Sequence, residues 1–72
     1  MDKGSMDALL SRLPLLIRMN DGREYVVRTD RDILNTEISS YVLYRSDNDA
    51  NLRGIHLPYV TMAGVEELAG SF

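Results

Sequence analysis

The 72-residue sequence contains no cysteine, one histidine (His56) and one lysine (Lys3). Without cysteine there are no disulfides, no thiolate zinc sites and no thiol nucleophile. With a single histidine, a histidine-based metal cluster is excluded as well. Long apolar runs are also missing: the uncharged stretch Leu13 to Ile17 falls far below the roughly 20 residues of a membrane-crossing helix. The start, "MDKGSM", places an acid at Asp2 and no apolar segment behind Lys3, so it lacks the secretory-signal pattern. With a second methionine at Met6, residues 1–5 read as a cloning leader, 6–68 as a single domain and 69–72, "AGSF", as a tail. A cysteine-free chain without a leader sequence is expected in the cytoplasm.

The chain is 44% apolar, ordinary for a globular protein. A domain this short buries only about 60% of the surface of its unfolded chain, so its stability is marginal. Small domains make up the deficit with disulfides, a metal or self-association, and here only the last is left. The formal charge is −3 and is unchanged when Asp2 and Lys3 are left out. Nucleic-acid binders draw much of their affinity from phosphate neutralisation by a basic face. The overall charge therefore disfavours RNA as a partner, although the seven arginines can still cluster locally.

Along the chain, "MDALLSRL" places Met6, Leu9, Leu10 and Leu13 at helical spacing, with Ser5 as a cap and Pro14 as the stop. Two turns of helix are stable only if their leucines rest on something. "LIRMNDGREYVVR" then alternates apolar and polar residues on both sides of Asp21-Gly22, which is the strongest short-range signal of a β-hairpin. "TDRDILNTEISS", Thr29 to Ser40, accommodates either a short helical turn or a bent continuation of the strand. "YVLYR", Tyr41 to Arg45, reads as a third strand. "SDNDAN", Ser46 to Asn51, reads as a loop. "LRGIHL", Leu52 to Leu57, is the fourth strand, and "VTMAGVEEL", Val60 to Leu68, is the fifth, with a bulge expected at Gly64. Five short strands bury two apolar faces only if the sheet bends back on itself. The expected fold is therefore mainly β: a strongly bent, antiparallel, five-stranded small barrel with a short N-terminal helix over one end. Alternation assigns Leu15, Ile17, Tyr25, Val27, Leu43, Ile55, Leu57 and Met62 to its core and points Tyr41 inward.

The hairpin "LLIRMNDGREYVVR", the "YVLYR" strand and the closing "LPYVTMAGVEEL" together resemble SH3-like small barrels. Within them they resemble the Sm-like branch that includes Hfq-like proteins, and also short uncharacterised bacterial proteins of similar pattern. The resemblance covers Met6 to Leu68 and implies an N-terminal helix, bent strands and a one-turn connection into the last strand at "LPY". It also implies RNA binding through an aromatic before the third strand and a Lys-His pair before the final turn. Here the aromatic position matches Tyr41 only loosely, and His56 has no lysine beside it. "DILN", Asp32 to Asn35, is a poorly spaced counterpart of the eukaryotic Sm signature. The departures therefore leave the fold expectation in place and remove the support for RNA.

Asp47, Asp49 and Asn51 imitate the start of a calcium loop, but the required glycine and bidentate glutamate positions hold Leu52 and Pro58. No metal, cofactor or catalytic residue is therefore assigned. His56 is expected to point out of the sheet, with neither nucleophile nor orienting partner identifiable in the sequence. Ser39, Ser40 and Ser46 lack flanking nucleophile signatures. The acidic pairs Asp30/Asp32 and Glu66/Glu67 read as solvated neighbours. The remaining candidate contacts for a ligand or RNA are Tyr41, Tyr44, Arg45, Arg53, His56 and Tyr59, with Tyr44 and Tyr59 expected partly exposed. A tyrosine beside arginine offers a stacking surface, although on a small barrel it more often packs its ring and wets its hydroxyl. The expected function is a non-enzymatic interaction or structural module, with an Sm-like RNA-binding protein as the alternative. The expected partner is another copy of the chain, joined through an edge of the fourth or fifth strand, both of which carry little charge, and an unknown protein or peptide is the other partner left open.

Overall fold

A computed structural model describes residues 1–45 and 51–68. Ser46 to Ala50, including Asp47 and Asp49 of the calcium-like run, and the tail 69–72 lie outside the described residues. The chain begins with helix α1 (Lys3–Leu9), continued by a 3-10 turn, Leu10–Arg12. The helix starts earlier than Met6 because Asp2, not Ser5, caps it: the Asp2 carboxylate accepts a 2.8 Å hydrogen bond from the Ser5 amide. That bond holds the Asp2 pKa below its usual value. Lys3 to Ser5 are thus helical, although sequence patterning left them outside the domain.

The hairpin follows as β1 (Leu15–Met19) and β2 (Glu24–Val27). The Met19 amide donates to Arg23 O and the Gly22 amide to Met19 O, so three residues turn the chain. Gly22 takes φ +90, a conformation open to glycine at little cost, and the Asp21 carboxylate accepts from the Arg23 amide at 3.0 Å. Between Thr29 and Ser40 both open alternatives occur in succession: a 3-10 turn (Asp30–Asp32), then a short strand, β3 (Ile33–Asn35). The rest is β4 (Ser39–Arg45), β5 (Leu52–Pro58), a 3-10 turn (Tyr59–Thr61) and β6 (Met62–Glu67).

The protein is mainly β, with six strands among the described residues rather than five, because β3 forms a separate ladder with β4. Two antiparallel three-stranded sheets result, ordered β2-β1-β6 and β3-β4-β5. No ladder joins them among the described residues, so the expected closed wall is not formed by backbone pairing. The expected bulge in the last strand falls one residue before Gly64. Arg18 pairs with Gly64 and Met19 with Met62, which makes Ala63 the extra residue.

The core holds Met6 from α1, Leu15, Ile17 and Met19 from β1, and Tyr25 and Val27 from β2. Ile33, Val42, Leu57 and Tyr59 complete it. Leu43 and Tyr41 do not point inward as expected. Val42 does, paired between Ile33 and Ile55, which puts both of its neighbours on the outer face. The error has a physical origin: β4 is apolar on both faces, so alternation alone cannot orient it. Ile55 and Met62 are only half-buried, packed against the core rather than within it.

A polar chain ties the helix to the second sheet. The Ser40 hydroxyl donates to Asn35 Oδ1 at 2.6 Å, Asn35 Nδ2 donates to Asp7 Oδ1 at 2.9 Å, and Lys3 Nζ donates to Asp7 Oδ2 at 2.7 Å. The Lys3 bond, and then the Asn35 bond, hold the Asp7 pKa below its usual value. Among the described residues, no helix is long and apolar enough to cross a membrane.

Candidate interaction surface

The outward faces of the two sheets differ in chemistry. On the first sheet, Arg18 Nε reaches Glu24 Oε2 at 3.1 Å while its Nη1 reaches Glu66 Oε1 at 2.9 Å. One arginine thus links β2, β1 and β6 across a face suited to water.

On the second sheet, the cross-strand partners Leu34–Tyr41, Tyr41–His56, Leu43–Gly54 and Arg45–Leu52 share the outer face. Only Arg45 among them carries a fixed charge. Leu34 is 64% exposed and Leu52 54%, and the face runs on into two turn residues, Ile38 at 78% and Val60 at 87%. Single exposed apolar residues need no explanation, but a contiguous set of them marks a surface that something covers.

Tyr41 is folded down onto this face. Its ring lies 4.6 Å from the His56 ring at 49°, and its phenol end passes over Gly54. A Cβ at position 54 would collide with the Tyr41 hydroxyl, so this glycine is what allows the ring to lie flat. His56 is held from its other side: Nδ1 is 3.3 Å from the Ser39 hydroxyl, which is itself 3.1 Å from the Thr36 hydroxyl. Thr36 Oγ1 also accepts the Ser39 and Ile38 amides, which fixes the turn that presents Ile38. Ser39 is buried within this network and is not displayed as a nucleophile. Beside it, Ile38, Pro58, Val60, His56 and Glu37 line a groove of about 630 Å³.

The six residues expected to contact a ligand divide among separate places. Tyr41 and His56 lie together on the outer face, with Arg45 at its far end. Tyr44 and Arg53 are cross-strand partners on the opposite face. There Tyr44 packs edge-on against Tyr25, centroids 5.3 Å apart at 77°. Tyr59 is buried rather than partly exposed, because the 3-10 turn carries its ring into the core, where its hydroxyl donates to Thr36 O at 2.6 Å. Burial pushes its pKa up. A second concavity, about 810 Å³, runs along the seam of β2 and β4, with Arg23, Arg28 and Arg45 around Tyr25 and Tyr44. Glu24 and Asp32 line it too. Among the described residues, no three His, Cys, Asp or Glu side chains cluster as metal ligands.

Val60 and Gly54 were not picked out by sequence reasoning, and of the apolar anchors that the sequence offers in Thr29 to Ser40, Ile33 is buried whereas Leu34 and Ile38 are exposed. The available signal was the two-sided apolarity of "YVLYR", which already requires one face of β4 to be covered by something. Comparison with family models, curated proteins and solved structures returns no match.

Proposed function

We propose that this chain is a non-enzymatic interaction module that assembles with copies of itself through its β5 side, on a partly open, SH3-like arrangement of strands. The observation that carries this reading is the contrast between the two outer faces, one crossed by the Glu24–Arg18–Glu66 ion pairs and the other apolar and continuous. The strand order supports the SH3-like part, since β5 passes through a single 3-10 turn into β6, and β6 returns to β1. Of the two edges expected to be sticky, that of β6 carries the acidic pair Glu66 and Glu67, whereas that of β5 carries Arg53 among Leu52, His56 and Pro58. Light scattering after gel filtration across a dilution series tests the reading. The expected result is a mass above 8.1 kDa that falls on dilution, and a constant single-copy mass up to high micromolar concentration overturns it.

The RNA-binding alternative draws on one observation, the three arginines around Tyr25 and Tyr44 in the β2–β4 cleft. Base stacking on tyrosine with arginine at phosphate is the chemistry of single-strand binding. Fluorescence anisotropy with short U-rich and A-rich RNA separates the readings. Micromolar or tighter binding that weakens with added salt favours RNA.

A further inference from the structure

We infer that the hydroxyl pair of Thr36 and Ser39 holds the neutral His56 ring with its proton on Nε2, and that charging the ring is transmitted through Ser39 to the turn between β3 and β4. This goes beyond the self-association reading above and does not depend on it. It follows from counting protons and lone pairs in one small network.

The count starts at Thr36. Its Oγ1 accepts the Ser39 amide at 3.0 Å and the Ile38 amide at 3.3 Å. A hydroxyl oxygen has two lone pairs and one proton, so both lone pairs are taken. Its proton is left for the Ser39 carbonyl at 2.9 Å or for Ser39 Oγ at 3.1 Å.

Ser39 comes next. It is buried, and a buried hydroxyl needs an acceptor for its proton. Among the described residues two side-chain atoms bond its Oγ: Thr36 Oγ1, and His56 Nδ1 at 3.3 Å. Thr36 has no lone pair to offer, so Ser39 donates to Nδ1. A ring nitrogen that accepts is unprotonated, and a neutral imidazole then carries its proton on Nε2. His56 therefore presents a donor at Nε2, not an acceptor.

Charging His56 reverses the order. An imidazolium donates from both nitrogens, so Nδ1 now donates to Ser39 Oγ and the Ser39 proton must turn to Thr36. Thr36 Oγ1 takes it only by releasing an amide, and the longer bond, from Ile38, goes first. That bond shapes the turn whose Ile38 and Thr36 carbonyls hold Tyr59. The ionisable groups around the ring come from several elements. Glu37 on the turn, and Asp2 with the amino terminus at Met1, line the same groove as His56. The carboxylates favour an imidazolium and the amino group opposes it. The Tyr41 ring, 4.6 Å away at 49°, adds a cation–π contact, whereas the Tyr59 phenol is committed to Thr36 O. These groups set the balance between the two states, and the lone-pair count sets which bonds change.

NMR on the nitrogen-15-labelled chain tests the inference, and a single histidine makes the ring signals unambiguous. Long-range proton–nitrogen correlation at pH 8 is expected to show Nδ1 unprotonated and Nε2 protonated. A proton on Nδ1, or an even mixture of the two forms, overturns the assignment. Between pH 8 and 5 the Ile38 and Ser39 amide signals are expected to shift with the same midpoint as the ring. Amides that stay still while the ring charges overturn the coupling. In Ser39→Ala the ring is expected to titrate while the Ile38 amide no longer follows. An Ile38 amide that follows equally in that variant reports the ring charge through space and overturns the relay. Should Ser39→Ala fail to fold, hydrogen exchange of the Ile38 amide in the wild type decides, after correction for its intrinsic pH dependence. Lost protection on charging the ring is expected, and unchanged protection overturns the relay.

Discussion

The hydroxyl of Tyr59 donates a 2.6 Å hydrogen bond to the backbone carbonyl of Thr36, so the turn leading into β6 is pinned to the turn leading into β4. The Tyr59 amide makes a parallel bond to Ile38 O at 3.0 Å. Together they set the spacing of Ile38 and Val60 on the outer surface. Tyr59→Phe keeps the ring but orphans the carbonyl, and is expected to cost about 1–2 kcal/mol, read as a lowered Tm.

The same residue gives a pH dependence. Burial raises the folded-state pKa of Tyr59 above the ordinary 10.0, so above pH 10 the unfolded chain releases this proton first. Its contribution is complete below that pH and declines as pH rises towards the folded-state value. Thermal melts between pH 9 and 11 are expected to show a steeper alkaline decline for the wild type than for Tyr59→Phe. Equal slopes would mean that the phenol is wetter than its burial indicates.

Val27 is fully buried on β2, opposite Leu15. Val27→Asp places a carboxylate in the core without a partner, a change costing several kcal/mol in a domain with little to spare. Loss of the cooperative melt by circular dichroism is the expected outcome. Val26→Asp, on the outward side of the same strand, is expected to remain folded.

Gly54→Ala has two opposing effects. Alanine is a better strand residue than glycine by about 0.5–1 kcal/mol, but its Cβ displaces the phenol of Tyr41. The displaced group is the end of a side chain, so the net change in Tm is expected to be small. The Tyr41–His56 ring contact should nevertheless be lost. Proton NMR shifts of the two rings report this directly, and unchanged shifts would mean that Tyr41 does not lie over Gly54.

Asp7 takes a hydrogen bond from Lys3 and another from Asn35, which hold its folded-state pKa below 3.8. The stabilisation is present above the ordinary carboxylate pKa and disappears as pH falls through the lowered one. Asp7→Asn is therefore expected to lower Tm at pH 7, by a margin that shrinks as pH falls below the ordinary carboxylate range.

The β1–β2 hairpin was legible because its evidence is local: two alternating runs with one apolar face each, and a glycine where φ must be positive. Its buried set, Leu15, Ile17, Tyr25 and Val27, follows from that pattern alone. β4 was read one residue out of phase, since Tyr41 and Leu43 are as apolar as Val42 and Tyr44. What orients it is pairing with Ile33 and Ile55, information held elsewhere in the chain. β3 has three residues, too few for any period to register. Tyr59 was misplaced because it lies in the one-turn connection between strands, where no alternation says which way a ring goes. At the interaction surface, His56 was correctly read as outward. Its partner Tyr41 was assigned to the wrong side, and so the apolar face they share went unread.

β1 is flanked on both sides, by β2 from just beyond the next turn and by β6 from the far end of the described chain. The first neighbour is available within microseconds of its synthesis, at the speed of hairpin closure. The second does not exist until nearly every other strand has left the ribosome, and bringing it back closes the longest loop in the domain. During that interval Ile17 and Leu15 have a partner on one flank only. Nascent chains stalled before Met62 should therefore offer an open β1 edge to chaperones, and release through Glu67 should remove it.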